Sequence, residues 1–158
     1  MAYNQSYGKQ NNRGGNRKEW NDAPKRLPDG YLEGGYFRQE GDKDHPILRK
    51  EYILGYPAAI ADAMTERDRN MNKSAQIRKY YNYCIRIRDL MAVGRTFTEV
   101  ESEFCRLSNF VVNAESRNLV SHLFVEFIDK NIASIHSGEE FLAFIKHFEA
   151  VVAHLKNK

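Results

Sequence analysis

Apolar residues recur every three or four positions through most of the chain after residue 73. The clearest apolar stripe lies near the end and consists of Phe141, Phe144, Ile145, Phe148, Val152 and Leu155. This spacing places side chains on one face of an α-helix, whereas a half-buried strand needs an apolar residue at every second position. No stretch of useful length alternates in that way. The sequence therefore predicts an all-α fold, a single bundle of five or six helices.

Capping residues and helix breakers give approximate bounds for these helices. A first helix is expected over residues 46–54, because its proline suits the first helical turn. The other expected helices cover residues 58–66, 74–94, 97–113, 119–135 and 138–155. Ser74 and Thr96 are the expected N-caps of the third and fourth helices. Ser137 and Glu140 form the expected capping box of the last one.

The first 30 residues differ in composition from the rest of the chain. They mix Asn, Gly, Arg and Tyr and hold too few apolar side chains to offset the entropy of ordering the backbone. We therefore expect a disordered tail over residues 1–30 and a helical bundle over residues 31–158. The composition leaves open whether this tail touches RNA weakly or only aids solubility. The segment Tyr31–Phe37 is expected to be irregular, with its aromatic side chains packed onto the bundle.

The chain carries no signal for membrane insertion or export. No apolar run reaches the roughly 18 residues needed to span a bilayer, and the first 20 residues are polar. We expect a cytoplasmic protein. Cys84 and Cys105 both fall within apolar helical patterns, which predicts two buried thiols in a reducing compartment. Spacing alone leaves open whether the two cysteines form a disulfide.

Positive charge is concentrated in one part of the chain. Residues 67–95 hold eight Lys or Arg and two acidic residues, a net charge of +6, although the whole chain carries only +3. Each Lys or Arg that contacts a phosphate releases condensed counterions, so a focused basic patch attracts a polyanion. The alternative interpretation is a solvated, Arg-rich helix face without a partner.

The helix expected from residue 74 has two different faces. With successive residues about 100° apart around the axis, its apolar sector consists of Ile77, Tyr80, Cys84, Ile87 and Met91, widened by Tyr83 and Leu90. The opposite sector consists of Arg78, Lys79, Asn82, Arg86 and Asp89. We expect the first sector to enter the core and the second to meet solvent or RNA.

The cations of the basic segment are the candidate RNA contacts. They would grip a nucleic-acid backbone without reading bases, and the free N–H groups of the helix start favour a phosphate near Ser74. Arg88 lies beside the apolar sector and is expected either to contact RNA or to pair with Glu101 or Glu103. The candidate RNA-binding residues are Lys73, Gln76, Arg78, Lys79, Arg86, Arg88, Arg67 and Arg69. Residues 31–158 are on this hypothesis an RNA-binding domain.

Catalytic and metal-binding motifs are largely missing from the sequence. It contains no CxxC pair, no HExxH and no Gly-rich phosphate loop, so we expect no catalytic residue, cofactor or metal. His147 and His154 are seven residues apart, too far for a local chelate, and are expected to be exposed or half-buried structural histidines. Arg117 and His122 match the Arg, polar residue, three residues, His signature of the helical HEPN ribonucleases. A HEPN-type ribonuclease and a helical protein–protein adaptor therefore stay open as alternatives.

Two stretches of the chain resemble the small subunit of type III-A (Csm-type) CRISPR effector complexes. They are residues 73–82, with the sequence KSAQIRKYYN, and residues 141–154, with the sequence FLAFIKHFEAVVAH. The segment Tyr31–Phe37 and the chain length fit as well. The resemblance covers roughly residues 45–158 and excludes the N-terminal tail.

This resemblance implies a non-catalytic RNA-binding subunit that serves antiviral defence. Members of the family are helical bundles that stack in several copies along the duplex of guide RNA and target RNA. The implied partners are these two RNAs, the backbone subunits that hold the guide and cut the target, the large subunit, and further copies of the same chain. Cleavage in such complexes belongs to other chains, which makes the Arg117 and His122 match incidental.

Overall fold

The computed structural model describes residues 26–65 and 70–155 of the chain. Across these residues it contains five α-helices and no extended strand, which confirms the predicted all-α bundle. The helices are α1 (Gly55–Thr65), α2 (Ser74–Ala92), α3 (Phe97–Ser116), α4 (His122–Ser134) and α5 (Gly138–His154). A 3-10 turn, Lys50–Tyr52, precedes α1. Within the two described ranges, each helix is too short or too polar to cross a membrane.

The helix α5 occupies the middle of the bundle. It packs against α1 and α2, while α3 packs against α2 and α4. The apolar stripe predicted on α5 is buried, and its rings meet those of the neighbouring helices: the ring centre of Phe141 lies 4.9 Å from that of Phe104 on α3. On the other side, Phe148 lies 5.5 Å from Phe127 on α4. Truncating one such ring in a packed core typically costs about 3–5 kcal/mol, so this aromatic cluster is a main source of stability.

The prediction of a helix over residues 46–54 is wrong. Leu48 instead forms an antiparallel bridge with Phe37, and the Arg38 N–H donates to the Ile47 carbonyl at 2.7 Å. The backbone groups of this stretch thus pair with the segment around Phe37, and only the turn Lys50–Tyr52 is helical. The next helix begins at Gly55, three residues before its expected start.

Three of the expected helix starts can be checked against side-chain hydrogen bonds. Thr96 accepts from the Glu99 N–H at 3.3 Å, which confirms it as an N-cap. Ser137 accepts from the Glu140 N–H at 3.2 Å, as the capping box predicts. Ser74 is not a cap: it is the first residue of α2, and its hydroxyl accepts from Arg78 Nε at 3.2 Å.

Asn72 fixes the start of α2 against the rest of the bundle. Its backbone has a φ of 54°, a left-handed conformation that Asn tolerates better than most residues. Its buried side chain donates to the Met64 carbonyl and accepts from the Ser121 N–H, both at 2.9 Å. Its own N–H donates to the Leu119 carbonyl at 3.0 Å. These bonds hold the first turn of α2 beside the connection between α3 and α4.

The segment before α1 is tied to the bundle by a buried polar network. Tyr36 donates to Asn131 Oδ1 at 2.7 Å, and Asn131 Nδ2 donates to the Tyr31 hydroxyl at 2.8 Å. Tyr31 in turn lies 2.7 Å from His147 Nε2, while His147 Nδ1 lies 2.7 Å from the Tyr52 carbonyl. A carbonyl only accepts, so Nδ1 carries the proton and Nε2 accepts from Tyr31. The expectation that the aromatic side chains of residues 31–37 pack onto the bundle is confirmed for both tyrosines.

The burial of His147 predicts a specific pH dependence of stability. Burial lowers the pKa of His147 from 6.5 to about 4, partly offset by the hydrogen bond to the Tyr52 carbonyl. The unfolded chain therefore binds this proton more tightly, and folding stability is lost as pH falls from 6.5 towards 4. From pH 7 to pH 5 we expect a loss of about 2 kcal/mol in the free energy of unfolding from this group. Urea unfolding at the two pH values measures it.

The matched variants are His147→Gln and His154→Gln. His154 lies on the same helix but is exposed, so its replacement should leave the pH dependence unchanged. His147→Gln should flatten it between pH 7 and pH 5. An undiminished slope in His147→Gln would contradict the assignment.

Two further expectations concern burial. Cys84 is buried as expected. Cys105 is exposed, because it comes directly after the buried Phe104 and therefore lies on the side of the helix that faces away from the core. Both thiols are free, so the two cysteines form no disulfide. Leu27 is only 7% exposed, so packing onto the bundle begins before residue 31. Residues 1–25 of the expected tail lie outside the described residues.

Candidate nucleic-acid interface

A groove of about 310 Å³ lies between α2 and α3. The two helices are consecutive and run side by side in opposite directions. The α2 wall consists of Gln76, Lys79, Tyr80, Tyr83 and Arg86. The α3 wall and the turn after it consist of Phe110, Asn113, Ala114, Arg117 and Leu119. The helical members of each wall are spaced three, four and seven residues apart, which is the spacing of one helix face.

The rim of the groove is cationic. Lys79, Arg86 and Arg117 line it, and among the described residues no Asp or Glu does. These three cations form no ion pair with a described acid. Arg86 lies over the Tyr83 ring, with 5.6 Å from the guanidinium carbon to the ring centre, so that an aromatic face orients its charge without neutralising it. Three unpaired cations around one groove favour an anionic occupant.

The floor of the groove is aromatic. The rings of Tyr83 and Phe110 meet edge to face, with centres 5.3 Å apart and planes at 89°. The Tyr83 hydroxyl donates to the Glu103 carbonyl at 2.6 Å, which holds the ring against α3. Phe110 is nevertheless 37% exposed, high for a ring packed against a neighbouring helix. The Arg106 guanidinium stands over one side of this ring, 5.5 Å from the ring centre, so the groove offers the remaining apolar ring surface to whatever enters it.

Two amide side chains complete the lining. Gln76 Nε2 donates to the Tyr80 hydroxyl at 2.6 Å, so its Oε1 atom remains open to a ligand. The side chain of Asn113 is exposed and makes no hydrogen bond within the described part of the chain. Amides both donate and accept, as the edges of nucleobases do.

The structure brings together only part of the predicted site. Gln76, Lys79 and Arg86 share the groove. Arg78 lies about 100° around the helix axis from Lys79 and so faces another direction. Lys73 precedes the first turn of α2 and is exposed.

The remaining candidates lie elsewhere or are not described. Arg88 pairs with its neighbour Asp89 at 3.3 Å and not with Glu101 or Glu103. Glu103 is taken by Arg106, at 3.1 Å. The candidates Arg67 and Arg69 lie outside the described residues.

The structure also separates the two residues of the ribonuclease signature. Arg117 follows the last residue of α3 and lines the groove, whereas His122 is not part of the lining. His122 Nδ1 lies 2.9 Å from Glu115 Oε1, and its side chain is 72% exposed. Of the two histidines on α5, His147 is fully buried, which corrects the expectation of an exposed or half-buried residue, while His154 is exposed.

Reasoning from α2 alone missed the α3 wall. Phe110, Asn113 and Arg117 fall at positions i, i+3 and i+7, so a helical projection of α3 could have grouped them. The same projection does not say which face of α3 meets α2. Only the packing of the bundle shows that Arg117 joins Lys79 and Arg86.

Comparison with known protein families matches residues 51–157 to the family described as Csm2 Type III-A. The match spans well over half of the chain and includes all five α-helices as well as both stretches that carry the resemblance. Comparisons with curated proteins and with solved structures give no match. The chain therefore belongs to the Csm2 Type III-A family, the small subunit of type III-A Csm complexes.

Proposed function

We propose that this chain is a non-catalytic small subunit that binds the duplex of guide RNA and target RNA in a type III-A complex. The observation that carries the proposal is the set of three cations, Lys79, Arg86 and Arg117, that face one groove without an acidic partner among the described residues. Cations left unpaired in a folded protein favour contact with phosphates, because binding then breaks no internal ion pair.

The expected contacts are with the RNA backbone. A subunit that must accept any guide sequence gains nothing from reading base pairs, and Lys and Arg side chains recognise phosphates regardless of sequence. Lys73 and Arg78, at the start of α2, extend the cationic surface beyond the groove. Arg88 contributes less, because Asp89 already neutralises it.

Family membership supports the assembly side of the proposal. Several copies of the chain stack along the RNA duplex beside the backbone subunits, and the large subunit is a further partner. The bond-breaking steps belong to those other chains. The complex acts in the cytoplasm, in antiviral defence.

Binding of the purified protein to a labelled RNA duplex tests the proposal. With two to three phosphate contacts, the logarithm of affinity should fall linearly with the logarithm of salt concentration, with a slope of about −2 to −3. Raising the salt from 50 to 200 mM should weaken binding roughly thirtyfold. Duplexes of unrelated sequence should bind equally well.

The same assay distinguishes the alternatives. The RNA should stay intact, so that the wild type and His122→Ala give the same gel pattern. Metal-independent cleavage that His122→Ala abolishes would instead identify a HEPN-type ribonuclease. Failure to bind RNA at low salt would contradict the proposal and favour a protein–protein adaptor.

A further inference from the structure

We propose that the groove between α2 and α3 holds one unpaired RNA nucleotide, with its base inside and its phosphates on the cationic rim. This inference rests on the proposed function and adds a second mode of binding to it. Backbone contact alone requires only exposed cations on a convex surface. The groove also has an aromatic floor beneath its cationic rim, and contact with the RNA backbone does not require such a floor.

The size of the groove sets the kind of occupant. About 310 Å³ is at the lower end of the range for small-molecule sites, enough for a single nucleotide. A base inside a double helix is paired and stacked, so a duplex cannot present the flat face of a base to the groove. An unpaired nucleotide can turn its base out of the stack and bury it.

The lining matches the three parts of a nucleotide. The exposed part of the Phe110 ring, beside the half-buried Tyr83, suits the flat face of a base. The amides of Gln76 and Asn113 can pair with the polar edge of any base, since each both donates and accepts. Lys79, Arg86 and Arg117 stand at the rim, where the two phosphates flanking the base leave the groove.

Other anionic ligands fit this lining less well. Free phosphate or sulfate would use the cations but leave the aromatic floor uncovered. A paired duplex would do the same. Only a ligand that joins a flat aromatic group to phosphates uses both, and RNA supplies that combination at every unpaired position.

The test compares three labelled duplexes of equal length: fully paired, with one bulged adenosine, and with an abasic nucleotide at the bulge. We expect the bulged adenosine to raise the affinity about tenfold over the paired duplex, the effect of one base stacking on aromatic side chains. The abasic bulge should bind like the paired duplex, because it lacks the stacking group.

A variant without the exposed ring separates this inference from backbone binding. Phe110→Ala removes the stacking surface and leaves all three cations in place. It should keep the affinity for the paired duplex and lose the preference for the bulge. Leu142→Ala is the matched control: Leu142 is about as exposed, at 40% against 37% for Phe110, but lies on α5 outside the groove, so this variant should keep the preference.

Two results would overturn the inference while leaving the proposed function intact. The first is equal binding of paired and bulged duplexes by the wild type. The second is a bulge preference that survives in Phe110→Ala. Loss of salt-dependent binding to all three duplexes would instead overturn the proposed function.

Discussion

Reversing both α2 charges at the groove, in the variant Lys79→Glu/Arg86→Glu, is expected to weaken binding to an RNA duplex by at least about a hundredfold at low salt. Two phosphate contacts are lost and two repulsive carboxylates face the RNA in their place. The slope of log affinity against log salt should become shallower by about two, one for each lost contact. Titration of labelled duplex at several salt concentrations measures both quantities.

The fold should survive this double substitution. Both side chains are exposed, and neither forms an ion pair within the described part of the chain. Surface changes of this kind usually alter the free energy of unfolding by no more than about 0.5 kcal/mol. Thermal unfolding of the variant should therefore match that of the wild type, so that a loss of RNA binding reports on the interface and not on unfolding.

The matched control is Lys130→Glu/Lys146→Glu. These exposed lysines lie on α4 and α5, outside the groove, and their reversal lowers the net charge by the same four units. Binding should weaken far less than in the groove variant. An equal loss in both variants would show that RNA responds to overall charge, and the groove would then have no special role.

The sequence predicted the parts of the fold that depend on local chemistry. The start of α3 and that of α5 follow from Thr96 and Ser137, whose hydroxyls accept hydrogen bonds from the N–H groups three residues later. The prediction of the first helix was wrong because Leu48 pairs with Phe37, a contact between two segments that no local sequence pattern encodes. Ser74 failed as a cap for a related reason, since Asn72 fixes the helix start through bonds to distant residues.

The candidate site was predictable to a similar extent. The helical projection of α2 identified Lys79 and Arg86 as exposed cations, because it depends only on the geometry of one helix. It also grouped Arg78 with them, although the groove takes in only one side of that exposed sector. The contribution of Arg117 depends on how α3 packs against α2, which is a property of the whole bundle.

Buried polar residues show the same limit. His147 and Asn131 lie within otherwise apolar helix faces, and both are fully buried. Their partners, Tyr31 and Tyr36, come about 100 residues earlier in the chain. Sequence spacing cannot reveal such pairs, yet the pairs decide whether burying these polar groups is tolerable.

Asn131 stands at the centre of this network, and its replacement is expected to have a large effect on stability. It donates to the Phe127 carbonyl at 2.7 Å and to the Tyr31 hydroxyl at 2.8 Å, and it accepts from Tyr36. Burial raises the pKa of both tyrosines, so each stays protonated and must find an acceptor. Asn131→Ala leaves the Tyr36 hydroxyl buried without a hydrogen-bond acceptor.

We expect Asn131→Ala to lower the free energy of unfolding by about 3 kcal/mol, because it leaves a buried hydroxyl without a hydrogen-bond acceptor and also leaves a small cavity. Urea unfolding of a double-mutant cycle with Tyr36→Phe isolates the first of these effects. In the Tyr36→Phe background no hydroxyl is left without an acceptor, so Asn131→Ala should then cost about 1–2 kcal/mol less.

Strictly additive losses would mean that the Tyr36 hydroxyl reaches another acceptor once Asn131 is gone. Non-additive losses would establish that the segment before α1 is held to α4 by this pair, and that the bundle extends beyond the residues that the Csm2 family model matches.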